Sequence, residues 1–453
     1  MSNITTTTKD LLVATSYRQI LKMALPISLA MLVPQINFVT NNIFLSQLGE
    51  TALGAAGITG VFYLVFALAG NGLNNGLQAL MARRAGEQRP DEIGKLFGQA
   101  VWIALLFAAA GMFITYLFAA TFLQQVLHSE MVKKEAIHFL QIRVLGLPFL
   151  FLFQLGNAFL VGSNNSRLLK YAFIVETIIN ILLDYLFIFG HYGFPALGFN
   201  GAAVASVIAE ASAAIIIFSI IYYKKFHHRF GLFKFMRFNA SLAGLIFKQS
   251  APLVLQFLLS IIAWLLFYIL IENTGERPLA ISTTMRNVFG VLGAVTWAFA
   301  STSNAMVSNI IGQGLNDKVE SLIIKIMRLS LLFTFFVCLL LNVFPTTFIH
   351  LFSESNVFAA DAVPVIRTVS AGALLMAMAT VWLNAVTATG NTRFNLLIEL
   401  VAITLYTIYV VLVIAKWRLG LVWAWGSELL YWSSLLSLSY FYIRSGKWKG
   451  KKI

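Results

Sequence analysis

Apolar residues run along this 453-residue chain in long, nearly unbroken stretches, not in the alternation of strands. Twelve such stretches lie at 19–46, 52–82, 93–120, 134–161, 168–190, 199–223, 245–272, 278–307, 320–346, 358–388, 394–416 and 420–444. Each reaches the roughly 20 residues a helix needs to cross a bilayer, whereas a spanning β-strand would alternate over about ten. The pattern predicts an all-α polytopic membrane protein with twelve transmembrane helices. A basic segment divides the chain into an N-lobe over 1–223, a cytoplasmic linker over 224–244 and a C-lobe over 245–453.

The pattern also repeats. At an offset of 226 residues Pro26 falls on Pro252, Gly49 on Gly275, Gly86 on Gly312, Asp91 on Asp317, Gly146 on Gly372, Asn165 on Asn391 and Arg167 on Arg393. Landmarks that coincide in corresponding loops and kinks predict two six-helix halves. Six is even, so both halves enter from the same side and are related by a pseudo-two-fold axis along the membrane normal, as in transporters that rock two bundles.

Where the halves differ, one has polar groups and the other does not. Gln35, Asn37, Asn41, Asn71, Asn157, Asn180 and Asp184 correspond to Ile261, Ala263, Phe267, Trp297, Leu383, Tyr406 and Val410. Asn37 with Asn41, Asn180 with Asp184, and Asn71, Asn74, Asn75 with Gln78 follow helical spacing, so each set shares a face. Polar groups facing hydrocarbon cost several kcal/mol, so these faces turn toward protein or water. They act as interhelical hydrogen-bond glue or line a hydrated cavity. The cavity expected has a polar wall with Gln35, Asn37, Asn71 and Asn157, and a second wall with Gln256, Ser260, Trp264, Trp297 and Tyr406.

Composition narrows the class further. The chain is 59% hydrophobic and 11% charged, with a formal charge of +14. The basic residues do not form a nucleic-acid-binding domain but mark alternate loops: Arg83, Arg84, Arg89 and Lys95; Arg167 and Lys170; Lys224, Lys225, Arg229, Lys234 and Arg237; Lys318; Arg393; and the tail KWKGKKI. The other loops carry Glu50, Glu130, Glu272, Glu354 and Asp361. The positive-inside rule then places both termini in the cytoplasm of a multi-pass cell-membrane protein. The start lacks the pattern of a cleavable signal peptide. The lone Cys338 and six scattered histidines offer neither a disulfide framework nor a metal site. No nucleophile stands near a histidine in a recognisable arrangement, so a catalytic site is not expected. The partners expected are a small-molecule substrate and the lipid bilayer, with the chain working as a monomer.

ALPISLAMLVPQINFVTNNIFLSQLGETALGAAGI, GLQALMARRAGE, and NILLDYLFIFG followed by LGFNGAAVASVIAE resemble, in order and spacing, the multidrug and toxic compound extrusion (MATE) transporters, over about residues 18–445. The resemblance implies a secondary antiporter, driven by H+ or Na+ and needing no cofactor, that exports amphipathic or cationic compounds by alternating access. It implies a cation site at the places of Asn41, Asn180, Asp184 and Ser206. Asn41 departs from the aspartate that proton-coupled members of similar sequence carry there. Ser260 stands where some members have a glutamate. Glu428, which falls on Ser206 at an offset of 222, is the second-lobe candidate. Pro26 matches the proline about which helix one bends, and Pro34 is a further candidate hinge, since proline removes a backbone hydrogen bond.

Charged side chains within spans are costly and are paired or functional. Glu176, Glu210 and Glu399 are the candidates for structural pairs, with Arg143, Arg286 and Arg367 available as partners. Asp184 has a neutral Asn180 one turn earlier, and a carboxylate that no arginine reaches is costly to keep ionised in a low-dielectric interior. Three alternatives to efflux remain at this point. A flippase for lipid-linked saccharides would need an open arginine-rich cavity, a channel would need a filter-like repeated loop, and a polytopic enzyme would need a nucleophile.

Overall fold

The structure is a computed structural model that describes residues 10–126, 130–350 and 355–451. Glu354 lies outside the described residues, as do the side chains of Pro34 and Glu50. The described chain is helical, for the reason the sequence suggests. In hydrocarbon a backbone N–H or C=O has no water to bond, and a helix satisfies them all within one segment.

Twelve long helices follow in order: α1 (Tyr17–Ser46), α2 (Glu50–Gly86), α3 (Pro90–Val126), α4 (Glu130–Gly162), α5 (Leu169–Phe189), α6 (Phe199–Tyr223), α7 (Ala240–Glu272), α8 (Glu276–Gly312), α9 (Val319–Val343), α10 (Asn356–Ala388), α11 (Thr392–Val410) and α12 (Leu421–Arg444). By length and composition all but α8 and α12 can cross a membrane unaided. α8 is rich in Ser, Thr and Asn and buries many of them, Ser303, Asn304 and Ser308 included, and α12 is rich in Ser, Trp and Tyr. α4 is two α-helical pieces joined by a 3-10 turn at Val144–Gly146. Pro148, at the start of the second piece, has no N–H to continue the first.

The helix boundaries carry the repeat. Glu50–Gly86 and Glu276–Gly312 lie 226 residues apart at both ends, as do Glu130–Gly162 and Asn356–Ala388. The sixth helices, starting at Phe199 and Leu421, are offset by 222. Gly49 and Gly275, just before α2 and α8, have φ of 100° and 129°, a region that side chains with a Cβ avoid. The same residue type is held at both places by the same turn.

The chain divides into two compact units, residues 29–250 and residues 1–28 with 251–453. The divisions fall within α1, two residues after Pro26, and within α7, just before Pro252. In the first unit one apolar cluster gathers Leu45, Ala55, Leu123, Leu140, Ile188 and Phe199. In the second, a larger cluster includes Phe267, Met285, Ile366, Tyr406 and Trp425. The stretch before α1 is also fixed within this second unit. Asn309 accepts from the Val13 N–H (3.2 Å) and donates to the Leu11 carbonyl (2.9 Å), and Lys325 donates to the Thr15 carbonyl (3.0 Å).

The basic linker folds against α3. Phe226, Phe230 and Leu232 are buried. Gln99 donates to the Arg237 carbonyl (2.8 Å) and accepts from the Asn239 N–H (2.8 Å), and the Trp102 indole donates to the Met236 carbonyl (2.7 Å). Gly94 makes the approach possible, because a Cβ there would stand 1.9 Å from the Phe230 carbonyl oxygen. That neighbour is backbone and cannot swing aside. We expect Gly94→Ala to destabilise the protein by about 1–3 kcal/mol. The checks are a lower thermal midpoint in detergent and faster tryptic cleavage at the linker.

Candidate functional site

Three helices of the 29–250 unit bring together one ion pair. Arg143 of α4 donates to both carboxylate oxygens of Glu210 on α6, Nη1 to Oε2 at 2.8 Å and Nη2 to Oε1 at 2.6 Å. The Tyr63 hydroxyl of α2 donates to the same two oxygens at 3.0 Å, and the guanidinium lies 3.7 Å from the Tyr63 ring centroid. A bidentate pair of this kind fixes geometry as well as charge. Gly146 leaves the space for it, since a Cβ there would stand 2.3 Å from Glu210 Oε2. The expected pairing of Glu210 is therefore present. Glu176 of α5 forms no ion pair among the described residues, and its Oε2 is buried without a hydrogen-bond partner.

Asp184 is placed differently. It is 0% exposed, and neither carboxylate oxygen has a hydrogen-bond partner among the described residues. Asn180, one turn earlier, is buried too and donates to the Ser206 hydroxyl of α6 at 3.4 Å. Phe44 of α1 packs on Tyr185 and Phe189 of α5, with ring centroids 6.5 and 5.8 Å apart. Asn41 is one turn before Phe44, so it lies on the same side of α1, the side turned to α5. Its Oδ1 is buried without a partner. The structure thus joins Asn180 to Ser206 directly and leaves the Asn41 and Asp184 oxygens unbonded.

The other polar positions of this unit do not all meet. The Asn71 side-chain oxygen accepts from Gln154 of α4 at 3.0 Å, a bridge that sequence did not suggest. Asn37 and Asn74 each have a buried side-chain oxygen without a partner, whereas Gln35 and Asn157 are half-buried. Pro26 is half-buried in the first half of α1.

In the unit containing residues 251–453, Glu399 of α11 is 1% exposed. Its expected arginine is absent. Gln256 donates to Oε2 at 3.1 Å, Ser260 to Oε1 at 2.7 Å, and the Tyr431 hydroxyl also to Oε1. The arginines go elsewhere: Arg286 lies 5.7 Å from the Trp264 ring centroid and 6.0 Å from that of Tyr268, while Arg367 is exposed. Gln256 and Ser260 are one turn apart on α7, the signal that could have marked this node in advance. Glu428 is buried and accepts from the Trp432 indole at 2.8 Å. Tyr406 is buried against Tyr431, at 5.8 Å between centroids, and Trp297 is 49% exposed. A cavity of about 290 Å³ lined by Arg277, Asp361, Pro364 and Leu421 touches none of these carboxylates.

Comparison with known proteins completes the picture. A model of the MatE family matches residues 26–186 and 252–413, one match in each repeat. A probable multidrug resistance protein NorM of Synechocystis sp. is 25% identical over 344 residues, 75% of this chain and 74% of that one. Its counterpart in Thermotoga maritima is 23% identical over 96% of this chain and 94% of that one. An outward-facing multidrug resistance MATE family transporter of the MOP superfamily has the same fold, with a TM-score of 0.89 over 97% of both chains and 18% identity.

The ion pair makes a direct prediction. Removing one member of a buried pair strands the other, at about 3–5 kcal/mol, whereas replacing both with apolar residues is often neutral. Arg143→Met should therefore lower thermal stability and yield sharply, and Arg143→Met with Glu210→Leu should recover most of the loss.

Proposed function

This chain belongs to the MatE family and is a membrane transporter, not an enzyme; we propose that it is a secondary antiporter that exports amphipathic or cationic organic compounds in exchange for H+ or Na+ by alternating access. It works as a monomer in the cell membrane with both termini in the cytoplasm. Asp184 carries the coupling ion, with Asn180, Ser206 and Asn41 beside it.

The observation that supports this most is the state of Asp184: a fully buried carboxylate with no hydrogen bond and no ion pair among the described residues. A carboxylate in such a place binds a cation or takes up a proton to be neutralised. A proton satisfies Asp184 alone, whereas Na+ would also draw on the amide oxygens of Asn41 and Asn180. The ion biases the transporter only through its different affinity for the two access states. Pro26 and Pro34 supply the bend in α1. The division between units beside Pro26 and Pro252 fits this reading.

Each unit offers its own chemistry to the substrate. In the 29–250 unit Gln35, Asn37, Asn71 and Asn157 bring polar groups. In the other, Trp264 and Trp297 bring aromatic faces suited to cations, Gln256 and Ser260 border Glu399, and Glu428 is the second acid; Tyr406, expected on the same wall, is instead buried in the apolar cluster. A flippase for lipid-linked saccharides would need unpaired arginines inside the protein. Of the three arginines within spans, Arg143 is committed to Glu210 and Arg367 is exposed, which leaves Arg286 alone, over two aromatic rings, and not a basic cavity; efflux is the reading favoured.

The test uses a fluorescent cationic dye and inverted vesicles under an imposed proton or sodium gradient. Asp184→Asn should slow gradient-driven uptake about tenfold or more, the factor given by 1.4 kcal/mol of lost differential affinity. Transport at the wild-type rate under both gradients would overturn the assignment, and the gradient that drives the wild type identifies the ion.

A further inference from the structure

Glu399 is the buried acid that the coupling scheme leaves unused. Three neutral donors reach it: the Gln256 amide (3.1 Å) and the Ser260 hydroxyl (2.7 Å) from α7, and the Tyr431 hydroxyl from α12. Among the described residues no Lys, Arg or His pairs with it. The amide that donates to Glu399 has its own oxygen, Gln256 Oε1, buried without a partner, on a side chain that is 8% exposed. A buried acceptor with no donor is rare enough to need a reason.

The reason is visible in the chemistry of the two carboxyl states. An ionised Glu399 accepts all three donors. A protonated Glu399 has one O–H to give, and half a turn of the Gln256 amide presents Oε1 to receive it. Ser260 and Tyr431 remain beside the other oxygen, so one set of side chains supplies the carboxyl with partners in both states. The other titratable groups nearby are Glu428 on α12, held by Trp432; Tyr406 on α11; Tyr268 on α7; and Arg286 on α8, which sits over Trp264 and Tyr268. None brings a cation to ion-pairing distance of Glu399.

We propose that Glu399 is a second proton-binding site of this protein, in the unit that does not contain Asp184, with Gln256, Ser260 and Tyr431 as its hydrogen-bonding shell. Gln256 is one turn after Pro252. Uptake of the proton therefore exchanges a hydrogen bond between α7 and α11 next to the break that this proline makes in the α7 ladder. The Ser260 hydroxyl also lies 2.9 Å from the Gln256 carbonyl, so its single hydrogen has two acceptors to choose between, one on the α7 backbone and one on Glu399.

The site is independent of transport through Asp184, and so is its test. Infrared difference spectra are taken between acidic and neutral pH on the full chain in lipid, in the region of the protonated carboxyl C=O stretch. Glu399→Gln should lose one band, and that band should persist in Asp184→Asn. Gln256→Leu and Tyr431→Phe, which keep the carboxyl, should change the frequency of that band and the pH at which it appears. Sodium added at constant pH should leave it in place. A spectrum unchanged by Glu399→Gln, or a band removed by sodium, overturns the proposal. If Glu399→Gln does not fold, a pH-dependent band that stays fixed in both shell variants overturns it as well.

Discussion

A carboxylate inside a helix bundle that spans lipid has to be matched by a cation, by hydrogen-bond donors, or by a proton or ion from solution. Each solution has its own place in this protein. Glu210 has the cation, in the bidentate embrace of Arg143 with Tyr63 beneath it. Glu399 has the donors, with Gln256, Ser260 and Tyr431 around it. Asp184 has neither among the described residues. The first arrangement ties α2, α4 and α6 together. The other two are those whose charge changes in the mechanism proposed.

Duplication explains how the two units came to handle charge differently on one framework. The helix boundaries repeat at 226 residues, and Gly49 and Gly275 repeat even the backbone conformation. Gly146 and Gly372, also related by the repeat, each let α4 or α10 approach a carboxylate from the last helix of its half. A Cβ at the first would meet Glu210 Oε2, and one at the second would stand 3.2 Å from the Cβ of Glu428. The polar stripe of Asn180 and Asp184 has become Tyr406 and Val410, both buried in an apolar cluster. In the second half the buried charge has moved to Glu399 and Glu428.

Much of this was legible from residues alone. Spans are set by runs of apolar side chains, and helix period fixes which residues share a face, so the twelve helices, the repeat and the grouping of Asn180 with Asp184 could be read directly. Which faces meet depends on how helices distant in sequence rotate against each other. Tyr431 is 32 residues from Glu399 and Gln256 is 143, and no local pattern links them. For that reason Glu399 was expected to pair with an arginine and instead meets neutral donors. The same limit hid the Asn71–Gln154 bridge and the docking of Leu11 and Val13 on Asn309.

The central claim is that Asp184, without a hydrogen-bond or ion-pair partner among the described residues, holds the ion exchanged for substrate. It is tested most directly by measuring ion release when a cationic substrate binds purified protein in lightly buffered solution, with proton and sodium release recorded separately. Wild type should release one of the two ions on binding, and Asp184→Asn should bind substrate with that release abolished. Equal release from both proteins would contradict the account.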